Sequence, residues 1–217
     1  SLVNQGGDDE LDSDWNGTDD VAVTIVKGET DTSYDFGFIS ARLDMGDLPT
    51  LYPTNFSPGP AHIVFPDGTD GDSDTDSASG MPAVWLGTLV DFETNGVPGS
   101  TAQGDDGAGT DDEDGLVFAS SGWLAGGTSS VVVTLNSDGH DVPVYYGLWI
   151  DWGNGTASIP DGNFDKFYSG SARSSSPVDV TILVSVPPTY TATSDVYLRL
   201  RASANPLTEA DFEGTIL

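Results

Sequence analysis

Apolar residues alternate with polar ones over several short stretches of the chain, and Gly, Pro, Asp and Ser separate these stretches. Alternation with a period of two is typical of a β-strand that buries one face. It predicts strands at residues 21–26, 33–39, 130–135, 144–150, 178–186 and 196–202. No segment repeats apolar residues at spacings of three and four over the length of a helix. We therefore expect an all-β chain that forms a sandwich or a barrel. Of these we favour an antiparallel β-sandwich of jelly-roll type, with long acidic, metal-clamped loops clustered at one end.

The density of predicted strands changes along the chain. Residues 1–40 contain an acidic loop and two strands, residues 41–115 contain long polar loops, and residues 116–217 contain most of the strands. We expect a short N-terminal part, residues 1–40, and one main domain, residues 41–217. The acidic low-complexity stretch 67–80 is either a mobile loop or a metal-binding loop.

The charge of the chain limits the classes of molecule that it is expected to bind. Its 217 residues include 35 acidic and 6 basic side chains, which gives a formal net charge of −29. Nucleic acids and anionic lipid surfaces bind basic surfaces, so neither is an expected partner. No apolar run approaches the roughly 20 residues of a membrane-spanning helix, so no membrane insertion is expected. Self-repulsion at this charge destabilises a compact state, and bound divalent cations would reduce it.

The residue types that are rare in the chain also exclude functions. There is no cysteine, which excludes disulfides, thiol catalysis and cysteine-ligated zinc. The only histidines are His62 and His140, and no Ser-His-Asp spacing stands out, so nucleophilic catalysis with a histidine base is not expected. One of the two could join a metal site, but a structural His62 packed near Trp85 is favoured. No signal peptide is present, and we expect the chain to be an internal piece of a longer protein.

The most informative segment is residues 104–115, which contains six acidic side chains within ten positions and four glycines. Ca²⁺ takes six to eight oxygen ligands in flexible geometry, and glycine-rich acidic loops suit it. Two more acids, Asp91 and Glu93, are two apart on a predicted strand and therefore point to one face. The expected calcium ligands of this group are Asp91, Glu93, Asp105, Asp106, Asp111, Asp112 and Asp114. Seven acids are too many for the coordination shell of one ion, so either two ions bind or some of these acids lie outside the shell. The alternative to a calcium site is a solvated acidic loop.

Two further groups of polar residues have a spacing that is typical of calcium loops. Asp161, Asn163 and Asp165 have the one-three-five spacing of an EF-hand loop without its closing glutamate, and they follow Asp151 and Asn154. A plain Asx turn is the alternative for this segment. The last group lies near the N-terminus and consists of Asp8, Asp9, Asp12 and Asp14.

The aromatic residues suggest a second type of site. The chain contains 5 Trp, 7 Tyr and 9 Phe. An exposed aromatic ring stacks on a sugar while neighbouring Asp and Asn side chains bind its hydroxyls, and the candidates for this role are Trp152, Tyr168 and Trp123. The alternative is that these rings belong to the core. On the strand 144–150 the odd-numbered and even-numbered residues face opposite ways, and one of the two sets is expected to be core.

Several segments of the main domain resemble the GEVED domain of large bacterial surface and secreted proteins. They are, in order, residues 46–52 (GDLPTLY), 59–64 (GPAHIV), 86–98 (LGTLVDFETNGVP) and the acidic segment 104–117. Residues 147–152 (GLWIDW) resemble the Trp-Ile-Asp-Phe strand of that family, and residues 197–201 (YLRLR) resemble its penultimate strand. The resemblance covers residues 42–217.

The N-terminal part resembles a different family. Residues 4–14, 28–29 and 34–37 are similar to the last third of an SdrD-type B repeat, an immunoglobulin-like stalk module of bacterial adhesins that often binds calcium. On this resemblance, residues 1–40 supply the C-terminal strands of such a module. They are either a truncated module or part of the main domain.

The two resemblances together imply an extracellular, β-rich module at the bacterial cell surface and imply no catalysis. We expect a calcium-stabilised β-sandwich module, with one or more Ca²⁺ ions, that acts as a spacer or presents a ligand-binding region of an adhesin or secreted protein. The alternative is a carbohydrate-binding module that uses loop aromatics and Ca²⁺, and a polysaccharide hydrolase is the least favoured. The expected partner is a glycan or another cell-surface ligand, and the module is expected to be monomeric within a longer chain.

Overall fold

The computed structural model describes residues 42–56, 58–64, 84–88, 95–104, 115–118, 122–137, 139–153, 160–191 and 195–216. All of them belong to one compact unit, Arg42–Leu217. The described residues form ten strands and a short 3₁₀ helix, Glu209–Phe212. The strands are β1 (Arg42–Asp44), β2 (Ala61–Val64), β3 (Trp85–Leu86), β4 (Leu116–Phe118), β5 (Thr128–Asn136), β6 (Val142–Asp151), β7 (Lys166–Ser174), β8 (Val178–Ser185), β9 (Tyr197–Ser203) and β10 (Thr215–Ile216).

The all-β prediction is confirmed for the described residues. The alternating segments at 130–135, 144–150, 178–186 and 196–202 correspond to β5, β6, β8 and β9. The alternation did not predict β7, because that strand is rich in small polar residues and has no fully buried position. The strands expected at 21–26 and 33–39 lie outside the described residues. In the described part of the chain, no helix is long and apolar enough to cross a membrane.

The strands form three sheets. In the largest, β5 pairs antiparallel with β8 along its length and with β3 and β4. The second has the order β7-β6-β9 and is antiparallel throughout. The smallest has the order β1-β2-β10, with β1 antiparallel and β10 parallel to β2. The parallel pair joins the C-terminal end of the described chain to a strand about 150 residues earlier in the sequence.

Strand β5 shows how the sequence pattern produces burial. Val131, Val133 and Leu135 are at most 1% exposed, and the residues between them are only half-buried. Successive side chains of a strand point to opposite faces of the sheet, so this alternation buries one face only. Full burial of each such aliphatic side chain contributes about 1.5–3 kcal/mol.

Side chains from the two larger sheets build one hydrophobic core. The buried members are Val131, Val133 and Leu135 of β5, Ile182 and Val184 of β8, Val186 just beyond it, Val144, Tyr146, Leu148 and Ile150 of β6, Trp152 just beyond it, and Ala202 of β9. The even-numbered residues of β6 therefore form its core face.

The opposite face of β6 is also buried. Trp149 is 1% exposed, and its indole nitrogen donates a 2.9 Å hydrogen bond to the Glu209 carbonyl of the 3₁₀ helix. Its ring lies over Gly147, where an added Cβ would be 2.5 Å from Trp149 Cη2. Phe167 packs against the same ring at 4.8 Å between centroids. The glycine therefore makes room for the tryptophan, and both faces of β6 are covered.

Two arginines of β9 attach the C-terminal segment to this sheet. Arg199 and Arg201 are 6% and 1% exposed. Arg201 donates hydrogen bonds to four carbonyl oxygens, those of Ala61, Asp211, Glu213 and Gly214. Arg199 donates to the carbonyls of Phe212 and Pro53, and its guanidinium lies 5.4 Å from the centre of the Phe164 ring. The guanidinium forks thus bind main-chain oxygens of the C-terminal segment, of Ala61 in β2 and of Pro53 before it.

Candidate functional site

The last residue of β6, Asp151, organises the loop that follows the strand. It is 0% exposed, and its carboxylate accepts four hydrogen bonds. Oδ2 accepts from the Tyr52 hydroxyl at 2.7 Å and from the backbone nitrogens of Asp161 and Gly162 at 3.0 Å. Oδ1 accepts from the Gly153 nitrogen at 2.7 Å. A buried carboxylate is costly without such donors, and here it draws both ends of the loop together.

The predicted one-three-five segment begins with an Asx turn. Asp161 Oδ1 accepts hydrogen bonds from the backbone nitrogen and the side-chain amide of Asn163, at 3.0 and 3.1 Å. Gly162 between them has a φ of +86°, a left-handed conformation that glycine adopts without strain. This segment therefore contains the Asx turn that the sequence left open as the alternative.

Asp165 closes the loop at the start of β7. Its Oδ2 accepts a 2.8 Å hydrogen bond from the Trp152 nitrogen, and its own nitrogen donates to the Ile150 carbonyl at 2.9 Å. Burial raises the pKa of Asp165 above its usual range, and the negative charges of Asp151 and Asp161 raise it further. Asp151, Asp161 and Asp165 are thus close enough for their charges to interact.

The carboxylates of Asp151, Asp161 and Asp165 all accept hydrogen bonds from protein donors. Among the described residues, no group of three or more His, Asp or Glu side chains is placed to hold a metal ion. The buried oxygens of Asp151 already face protein donors. The calcium site expected at Asp151, Asp161, Asn163 and Asp165 stays a prediction. Asn154, predicted with this group, lies outside the described residues.

Most of the predicted calcium ligands lie outside the described residues. They are Asp91, Glu93, Asp105, Asp106, Asp111, Asp112, Asp114, Asp8, Asp9, Asp12 and Asp14. The described residues that flank two of these segments are in contact: a Cβ built on Gly115 would lie 2.6 Å from Leu86 Cβ and 3.0 Å from the Gly87 nitrogen. Residues 89–94 come shortly after Gly87 in the chain, and residues 105–114 come directly before Gly115.

Contacts on β5 hold these two flanking segments in place. The β3 residues pair with Leu135 and Asn136, and Gly87 donates a 2.9 Å hydrogen bond to the Thr134 carbonyl. The β4 residues pair with residues 131–133 of the same strand. The other flank of the acidic segment is fixed too, because the Gly104 nitrogen donates a 2.6 Å hydrogen bond to Asp47, which is 3% exposed.

The three aromatic residues predicted for sugar stacking lie against the core. Trp152 is 3% exposed and belongs to the core cluster, and Trp123 and Tyr168 are partly buried against that cluster. Trp123 packs edge-to-face on Trp152 at 5.0 Å, and Tyr190 does so from another direction at 5.7 Å. None of the three predicted rings is exposed as a flat platform.

A small cleft lies beside Trp152. Its volume is about 310 Å³, and its lining residues are Trp152, Gly153, Asp165, Lys166, Pro187, Thr189 and Tyr190. Trp152 and Asp165 were predicted for different sites, and the structure places them in the same wall. Lys166 and residues 187–190 form no sequence motif. Lys166 is positioned by the pairing of β6 with β7, and residues 187–190 by contacts with Gly126 and Trp152.

His62 has the structural role expected from the sequence. Its Nε2 lies 3.1 Å from the Ala202 carbonyl, to which it donates in the neutral form. Asp44 Oδ2 is 3.7 Å from the other ring nitrogen. Burial, followed by the charge of Arg201, lowers the pKa of His62 to about 3, which keeps the ring neutral near neutral pH.

Comparison with protein-family models gives no match, and neither curated proteins nor solved structures give a significant match. The resemblance to GEVED and SdrD-type modules therefore remains a prediction from the sequence.

Proposed function

We propose that the protein is a calcium-stabilised module of a bacterial adhesin or secreted protein, in which the two larger sheets form a jelly-roll-like β-sandwich. Its role is structural or ligand-presenting, and it has no catalytic function. The shared core of the two sheets supports the sandwich. The net charge of −29 supports bound cations, because self-repulsion at that charge opposes a compact state.

The observation that carries the proposal is the contact between Gly115 and the end of β3 at Leu86 and Gly87. Two acidic segments of the sequence are each attached at one end here: residues 91–93 follow the end of β3, and residues 105–114 end directly before Gly115. Carboxylates that start from adjacent points of a sheet repel each other unless a cation lies between them. Asp91, Glu93 and the acids of residues 105–114 are the residues that would hold Ca²⁺.

When bound, Ca²⁺ would neutralise the charge of these carboxylates and would take no part in a reaction on a substrate. An ion that binds only the folded state stabilises it by mass action, by about 2.7 kcal/mol when the free ion is at 100 times its dissociation constant. Without cysteine, the chain has no disulfides that would stabilise its long loops in an extracellular setting. The resemblance to surface modules supports the same location.

Carbohydrate binding through an exposed platform of Trp152, Tyr168 and Trp123 is the second candidate function, and the burial of these rings disfavours it in that form. A hydrolase is the least favoured, because paired carboxylates carry little information in a chain with 35 acids.

Metal analysis by mass spectrometry and thermal melts with Ca²⁺ and with EDTA test the proposal. We expect bound calcium and a melting temperature that is higher in Ca²⁺. Asp91→Ala and Asp112→Ala should lower the melting temperature by several degrees in Ca²⁺ and change it little in EDTA. Asp179→Ala is the matched control. This exposed acid accepts a hydrogen bond from Thr134 and from no other described residue, so its removal should have the same small effect in both buffers. A metal-free protein whose melting is insensitive to chelation would refute the calcium proposal.

A further inference from the structure

The cleft beside Trp152 has rigid walls. Trp152 is held between Trp123 and Tyr190 by two edge-to-face contacts, at 5.0 and 5.7 Å between ring centres. Gly153 has a φ of +78°, which disfavours a side chain at this point of the wall. A site whose walls are already ordered loses little conformational entropy when a ligand binds.

A tight turn supplies the other wall. The Tyr190 nitrogen donates a 3.1 Å hydrogen bond to the Pro187 carbonyl, which closes a four-residue turn with proline at its second position. The Gly126 nitrogen also donates to the Pro187 carbonyl, at 3.3 Å, and the Val186 nitrogen donates to the Gly127 carbonyl at 3.0 Å. These bonds attach the turn to the neighbouring loop, so Pro187, Thr189 and Tyr190 keep a fixed position opposite Trp152.

The rim of the cleft combines a hydrogen-bond acceptor with donors. Asp165 Oδ2 is occupied by the Trp152 nitrogen, whereas its Oδ1 accepts no hydrogen bond from the described residues. Lys166 and Thr189 are exposed and belong to the same lining. The carboxylate and the ammonium have opposite charges, and Lys166 also lowers the pKa of Asp165. The rim thus presents one ammonium beside an acceptor carboxylate, with Asp151 and Asp161 close enough to raise the pKa of Asp165.

We propose that this cleft binds one ring of a neutral sugar. The apolar C–H face of the ring would pack on Tyr190, Pro187 and the edge of Trp152. Two neighbouring hydroxyl groups would donate to Asp165 Oδ1 and accept from Lys166. Sugars are amphipathic in this sense, and ligand sites generally combine apolar walls with a few placed polar groups. The site goes beyond the structural role proposed above and does not require calcium.

Charge and size favour a neutral sugar over an anionic or a larger ligand. An anionic ligand would meet Asp165 and the field of a chain with net charge −29. The adjacent acceptor and donor, Asp165 and Lys166, match the hydroxyl groups of a sugar. The cleft volume of about 310 Å³ lies at the lower end of the range of ligand pockets, about 300–1,000 Å³, so one or two sugar rings fit better than a larger ligand.

Binding is measured by saturation-transfer NMR and titration calorimetry, with methyl β-glucoside, methyl β-galactoside, N-acetylglucosamine and glucuronate as probes. We expect at least one of the three neutral probes to bind. Lys166→Ala should weaken that binding about tenfold, the loss expected for a hydrogen bond to a charged group. Arg173→Ala is the matched control, because it removes another exposed cation from β7, at a site away from the cleft, and its effect should be less than twofold.

Two substitutions test the wall separately from the fold. Tyr190→Phe keeps the ring and should keep most of the affinity, whereas Tyr190→Ala should weaken binding at least tenfold. If Tyr190→Ala melts well below the wild type, Thr189→Ala replaces it, with a smaller expected loss. Failure of all four probes to bind, binding of glucuronate alone, or equal losses in Lys166→Ala and Arg173→Ala would overturn the assignment. The same titrations in EDTA distinguish this site from the calcium proposal, because binding should persist wherever the protein stays folded.

Discussion

Tyr52 donates a 2.7 Å hydrogen bond to the carboxylate of Asp151, a residue 99 positions later in the sequence. Both side chains are buried, at 3% and 0% exposure. Burial, the hydrogen bond to Asp151 and the charge of that residue raise the pKa of Tyr52, so its hydroxyl stays protonated and remains a donor. The bond joins the loop before β2 to the end of β6, and the loop that Asp151 organises depends on it.

Tyr52→Phe should therefore destabilise the domain. The substitution keeps the ring contacts with Phe164 and Tyr197 and removes one donor from a buried charged acceptor. A hydrogen bond to a charged group contributes about 1.5–3 kcal/mol, so urea unfolding should show a loss of that size. Tyr197→Phe is the control, because its hydroxyl bonds the neutral carbonyl of Ser100 in an exposed setting, and it should cost less than about 1 kcal/mol. Equal losses would mean that the charge on Asp151 is unimportant.

Arg201→Met should destabilise the domain more strongly. The change removes the shared donor of four carbonyl oxygens. A buried acceptor left unsatisfied costs about 1–3 kcal/mol, so with several acceptors affected we expect a loss of about 3 kcal/mol or more. Arg201→Lys should rescue only part of this loss, since an ammonium lacks the planar fork. Arg173→Met removes an exposed ion pair and should cost about 0–1 kcal/mol by thermal or urea unfolding. If Arg201→Met were as mild as this control, the guanidinium would not hold the C-terminal segment.

The strands with strong alternation could be predicted from sequence because their burial is one-sided. β5 and β8 bury every second residue, and the sequence shows that period directly. β7 could not be found in this way, since it is an edge strand in its sheet and its residues are small, polar and only partly buried. The alternation located β6 but did not show that both its faces are covered, because Trp149 is buried by the distant 3₁₀ helix.

The candidate site was less predictable because it depends on contacts between distant segments. Asp151, Asp161 and Asp165 were identified by spacing, yet spacing does not distinguish a metal loop from an Asx turn. What determines the geometry is Tyr52, which no local pattern connects to Asp151. The sequence gives one indication that Arg199 and Arg201 are buried. They are two of only six basic residues in the chain, and they occupy alternate positions of an otherwise apolar strand.

The stability of the domain should decrease on mild acidification because of His62. The pKa of this residue is about 3 in the folded state and about 6.5 when unperturbed. Between these values the unfolded chain binds a proton that the folded state does not, so the free energy of unfolding falls as pH falls from 6.5 towards 3. One such group gives a slope of at most about 1.4 kcal/mol per pH unit.

His62→Gln isolates this effect from the titration of the many acids. Glutamine stays neutral and retains an N–H donor for the Ala202 carbonyl. Urea unfolding of both proteins at several pH values between 7 and 4.5 should show the wild type losing stability faster than the variant as pH falls. Parallel curves for the two proteins would show that His62 titrates equally in the folded and unfolded states.

Trp152→Ala should cost about 3–5 kcal/mol, because the indole is 3% exposed and lies in the core between Trp123 and Tyr190. The sequence suggested that Trp152 binds sugar on the surface, and on that basis its removal would leave stability unchanged. Leu183→Ala is the control: this residue is 66% exposed, and its truncation should change stability by no more than about 0.5 kcal/mol. Thermal and urea unfolding distinguish the two roles. A Trp152→Ala protein as stable as Leu183→Ala would mean that the ring does not support the core, and the wall of the sugar cleft would then lose the rigidity on which that proposal depends.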